Sequence, residues 1–168
     1  MPLLIQYIQL CWFTNNPIDL HPSSSFLWKC VLFYLVSGII VEANISDPAD
    51  ATLEVAMRTI VALSLLSALV LATNKRPLFM QLLIAVFICE NVMMTLGIGV
   101  EIYDVFVKGT PYEEYPTYLG VLLIFWYMAI LSYIFRQVFS FKTASSVISA
   151  LFYFLSTYGG PFLVMEVI

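Results

Sequence analysis

The chain has 168 residues, 61% hydrophobic and only 11% charged, with a formal net charge of −4 and a mean hydropathy of +0.94. A soluble domain carries roughly 25% charged residues and must present them to water, so this composition excludes a water-soluble globule and makes lipid the solvent for most of the chain. The seven Lys and Arg are scattered and form no patch, so nucleic acid is not expected as a partner.

At the N-terminus, MPLLIQYIQLCWF lacks the basic start and small-residue cleavage site of a signal peptide. Gln6 and Gln9 interrupt an otherwise apolar, Trp-bearing run, so the segment is expected to lie in the membrane interface. A bilayer core of about 30 Å needs about 20 helical residues, and that window predicts spans at 24–41, 53–73, 77–103, 117–139 and 143–167 within one all-α domain covering 1–168. Pro22-Ser23-Ser24-Ser25 supplies an N-cap for the first span. Pro77 opens the third, where a missing N–H costs nothing in the first turn.

In the fifth span, Gly159-Gly160-Pro161 is expected to break the helix. Pro161 removes a donor, clashes with the Thr157 carbonyl and pushes Gly160 out of helical geometry. A kink at 159–161 near the membrane boundary follows, with Phe162 to Val167 packed on protein.

Orientation is read from the basic residues flanking short loops. Lys75 and Arg76 lie between spans two and three, Arg136 and Lys142 bracket the turn between spans four and five, and Lys29 snorkels to the same side. The opposite loops carry Glu42, Asp47, Asp50, Glu54, Glu101, Asp104, Glu113 and Glu114 against Lys108. The N-terminus is therefore expected in the cytoplasm and the C-terminus, with Glu166, outside. Asn44-Ile45-Ser46 matches a glycosylation sequon on that outer side.

Few residues offer chemistry. Glu90, followed by Asn91, falls near the middle of the third span, where a lone carboxylate is expensive. It is read either as a relay or cation site, or as a neutralised group hydrogen-bonded to a neighbouring helix. Arg58 follows Glu54 by four residues, so the two share a helix face and an ion pair between them is preferred over a reach from Arg58 to Glu90. Ser64, Ala68 and Ala72, and in the fifth span Ser145 with Ser149 and Ser146 with Ala150, repeat small residues every fourth position. Such stripes let helix backbones approach closely, and they are read as internal packing faces. Trp12 and Trp28 fit an interfacial belt, whereas Trp126 lies deep in span four and is assigned to helix packing. His21 stands alone, Cys11, Cys30 and Cys89 are apolar fillers, and nucleophile and phosphate-loop motifs are missing, so no cofactor, metal or enzymatic activity is expected.

The short N-terminal segment, the Asn16-Pro17-Ile18-Asp19-Leu20 element and the spans that follow, with Trp126 and Arg136 in the fourth, resemble small uncharacterised bacterial inner-membrane proteins. The five-span layout is also similar to the Yip family. That resemblance implies a helical protein working through lipid and protein contacts, although the family's long polar N-terminal region and its Tyr-Gly-Pro-type motif are missing, so vesicle traffic is not carried over. The expected role is a non-enzymatic subunit or accessory factor of a larger inner-membrane complex, with the lipid bilayer and other membrane subunits as partners. The alternative is a small transporter or channel with Glu90 and Asn91 in its pathway.

Overall fold

A computed structural model describes residues 3–43 and 47–167, with side chains as far as Met165. The sequon at 44–46 and the side chain of Glu166 lie outside the described residues. The fold is all-α: a short helix α1 (Leu3–Ile8) precedes α2 (Ser24–Glu42), α3 (Pro48–Ala72), α4 (Phe79–Val107) and α5 (Tyr115–Phe139). A last span is built from α6 (Thr143–Phe154), a π turn (Leu155–Gly159) and α7 (Gly160–Val167). Five helices are long and apolar enough to cross a membrane, and each satisfies its own backbone hydrogen bonds, as hydrocarbon requires.

Local signals start and stop these helices. The Ser23 side chain accepts from the Phe26 N–H at the start of α2. Pro48 sits in the first turn of α3, so that helix begins five residues before the expected 53. Gly109, at φ +75°, turns the chain after α4, a conformation that carries no Cβ penalty in glycine.

The central element is α4, in which every residue from Leu82 to Glu90 is buried. It packs against α2, α5, α3 and α1, and over 82–90 it meets protein on every face, whereas Leu96, Ile102, Val105 and Phe106 further along are exposed. At one end of the bundle stand Lys75, Arg76, Arg136 and Lys142, and at the other Glu42, Glu54, Arg58 and Glu101; these are called the basic and acidic ends. Gly38 of α2 lies so close to α3 that a Cβ there would meet the Val55 methyls at 3.1 and 3.3 Å.

Two expectations need correction, the break in the last span and the packing of the small-residue stripes. The short N-terminal helix is present as expected, and its inner face packs on the bundle: Tyr7, Leu10 and Cys11 are fully buried, whereas Leu4, Ile5 and Trp12 are exposed. Trp126 donates from Nε1 to the Cys11 carbonyl at 3.0 Å, and Tyr133 donates to the Asn15 carbonyl at 3.0 Å. These two donors on α5 satisfy irregular backbone that lipid would leave unpaired. Burial, then Cys30, pushes the Tyr7 hydroxyl up to about 12, and it donates to the His21 carbonyl.

The last span does not break at 159–161. Gly160 keeps helical angles, φ −61° and ψ −58°, and the irregularity lies before it, as the π turn. A π turn shifts the hydrogen-bond ladder by one residue, relieving the clash between the Pro161 ring and the preceding turn without ending the helix. Beyond it, α7 packs on α3 as expected, with Pro161 buried and Phe162, Leu163 and Val164 exposed.

The small-residue stripes also fall differently. Ser64, Ala68 and Ala72 are exposed, while Ala62, Leu66 and Val70 form the buried face of α3. On α6 the packing face is Ser146, Ala150 and Tyr153, with Ser146 Oγ 3.0 Å from Ser132 Oγ of α5; Ser145 is exposed and Ser149 half-buried.

Candidate functional site

Glu90 stands at the end of the fully buried stretch of α4 and is only 2% exposed. Its Oε1 accepts a hydrogen bond from the Tyr127 hydroxyl of α5 at 2.6 Å and another from the Tyr153 hydroxyl of α6 at 3.0 Å. Its Oε2 has no hydrogen-bond partner among the described residues. Tyr127 and Tyr153, with Tyr158 of the π turn, which lines the same cavity as Glu90, form a tyrosine cage at this carboxylate. Helices α5 and α6 thus both reach Glu90 of α4, holding Oε1 and leaving Oε2 buried and unpaired among the described residues.

Arg58 sits above this cage at the acidic end. Its Nη1 pairs with Glu42 of α2 and its Nη2 with Glu54, one turn back on α3. The guanidinium carbon lies 5.1 Å from the centroid of the Tyr158 ring, within cation–π range. The expected i,i+4 pair is present, and the cross-helix partner is Glu42 rather than Glu90.

A cavity of about 430 Å³ connects the two sites, with Arg58 and Glu42 at one end and Glu90, Tyr127 and Tyr158 at the other. Gly97 and Gly120 open it: a Cβ on either would meet nothing within 4 Å. A concave, mostly apolar space with a few convergent polar groups is the usual form of a small-molecule site.

Asn91 does not share this space. The next residue on a helix is rotated by about 100°, and Asn91 faces a separate cavity of about 410 Å³ between α1, α2 and α4. There its amide nitrogen donates to the Cys30 carbonyl at 3.0 Å, a helix-to-helix tie. A single path lined by Glu90 and Asn91 is thus replaced by two cavities. The continuous helix through Pro161 likewise presents no broken strand of carbonyls to an ion.

His21 gains no companions: no group of three metal-ligating side chains forms among the described residues. The cysteines are all free and buried, and Cys11 lies 3.5 Å from Cys89 between sulfur atoms, pinning the N-terminal segment beside Glu90.

Residue-by-residue reading of the sequence missed Tyr127 and Tyr153 as partners of Glu90. The available signal was position, because tyrosine favours membrane interfaces and one deep within a span needs a partner for its hydroxyl. The comparisons add no family assignment: no protein-family model, curated protein or solved structure matches this chain.

Proposed function

We propose that this multi-pass membrane protein is a small non-enzymatic carrier that holds a solute in the cavity between Arg58 and Glu90. The observation supporting this reading is the Glu90 carboxylate itself: buried, held on one oxygen by two tyrosines, and unpartnered among the described residues on the other. An unmet carboxylate oxygen at this depth is costly, and a donor that enters beside it removes that cost. Here the second oxygen is left for something that enters.

The charge asymmetry of the loops supports an orientation with the basic end in the cytoplasm, so that the Arg58 end of the cavity faces outward. Single cysteines placed at Asn74 and Glu113, on a background with the native cysteines replaced, are expected to label from opposite sides.

Cavity filling tests the binding reading. Leucine at Gly97 or Gly120 enters open space and is expected to occupy the cavity while leaving the fold intact. A panel of neutral, cationic and anionic small molecules is screened for thermal stabilisation of the purified chain. Compounds that stabilise the native chain but not Gly97→Leu or Gly120→Leu support the reading. Identical responses across the whole panel refute it.

A subunit role remains a second reading, favoured by one observation. A groove of about 400 Å³ separates α3 from α6 and is lined in part by Ala68, Ala72 and Ser149. Small residues of this kind admit a partner helix at close range. Leucine at both Ala68 and Ala72 is expected to disrupt a membrane complex that depends on this groove and to leave solute binding unchanged.

A further inference from the structure

The walls of the Glu90 cavity are chemically one-sided. Much of its lining is apolar, with Met93, Met94, Leu123, Ile124 and Phe154, while its carboxylates are Glu90, Glu42 and Glu101. The cation lining it is Arg58, whose Nη1 and Nη2 are committed to Glu42 and Glu54 and whose charge they neutralise, although its Nε has no partner among the described residues. An entering anion would find its counter-charge already neutralised and further carboxylates around it, in surroundings where charge interactions are weakly screened.

A bare metal cation is also poorly matched. Hard cations take six or more oxygen ligands, whereas both hydroxyls that reach Glu90 donate to Oε1 and leave Oε2 as the free acceptor. One carboxylate oxygen set in an apolar wall suits a cation that brings its own apolar body and one N–H to donate. The rings of Tyr127 and Tyr158 also line the cavity, and that of Tyr158 holds the Arg58 guanidinium by a cation–π contact.

We propose that this cavity, on the reading that it holds a solute, takes a small organic monocation: a protonated amine on an apolar body, with its N–H on Glu90 Oε2. Tyr127 and Tyr153 are positioning residues, since they hold the carboxylate through Oε1 and leave Oε2 without a donor among the described residues. The methionines provide adaptable walls, which suit a class of ligands rather than one shape.

The probe pair is N,N-dimethylbenzylamine, protonated at neutral pH, and isobutylbenzene, which has the same shape with C–H in place of the ammonium N–H. Both are titrated by calorimetry into the full chain in neutral maltoside micelles, with Gly120→Leu as the background for partition into detergent. The native chain is expected to bind the ammonium at least about tenfold more tightly than the hydrocarbon, and Glu90→Gln to abolish that preference. Equal binding of the two above background overturns the cation assignment while the solute cavity stands. Binding of neither above background removes the cavity reading itself. A preference that survives in a folded Glu90→Gln protein overturns the role given to Glu90. Should that variant not fold, the comparison of amine and hydrocarbon on the native chain decides the ligand class.

Discussion

Replacing Arg58 by methionine keeps the aliphatic stem and removes the charge that joins α2 to α3. The side chain of Arg58 is 13% exposed and those of its partners Glu42 and Glu54 are 15% and 11% exposed, so the triad sits much nearer the buried than the surface limit. Exposed pairs are worth about 0–1 kcal/mol, whereas removing one partner of a buried pair costs about 3–5 kcal/mol, because the remaining charge is stranded. Here two carboxylates lose the same cation, and the contact with Tyr158 adds about 0.5–1 kcal/mol. Arg58→Met is therefore expected to destabilise the bundle by about 3 kcal/mol, the lower end of the buried range, since a trace of solvent reaches all three groups. The triple variant Glu42→Gln, Glu54→Gln, Arg58→Met leaves no stranded charge and is expected to fall within about 1 kcal/mol of the native chain. Reversible unfolding in mixed micelles, followed by circular dichroism, measures both. Equal destabilisation in single and triple variants, or none in the single one, would refute the assignment of a coupled, desolvated triad.

The sulfur atoms of Cys11 and Cys89 are 3.5 Å apart, so mild oxidation of the purified chain is expected to form an intramolecular disulfide between them, seen by peptide mapping. Pairing of Cys30 instead would show that the N-terminal segment is docked elsewhere. Gly38→Leu is expected to cost about 1–3 kcal/mol by overpacking and Gly38→Ala less, because only the Val55 methyls must give; unfolding midpoints that do not differ from native would remove the close α2–α3 contact. Glu90→Lys sets an ammonium among tyrosine hydroxyls with no carboxylate in the cage and is expected to yield little folded protein, whereas Glu90→Gln folds. Fluorescence-detected size-exclusion chromatography checks this, and a monodisperse lysine variant would show the site to be wetter than described.

The properties legible before any packing are those that each segment settles alone. A span must be long, apolar and self-satisfied in hydrogen bonds, so the spans are legible one at a time, and α2 and α5 fall within two residues of the predicted ranges. The pair between Arg58 and Glu54 is equally local, one helical turn on one face. Facing is different, because lipid and protein interior are both apolar and a span shows no polar stripe to mark its outside. That is why Ser64, Ala68 and Ala72 of α3 could not be told from Ala62, Leu66 and Val70, and only packing placed the second set inside. Tertiary structure alone brought Glu42 to Arg58 across 16 residues, and Tyr127 and Tyr153 to Glu90 across 37 and 63. It also turned Glu90 and Asn91, neighbours in sequence, into two different cavities. Those contacts depend on the relative rotation of helices, which no single span encodes.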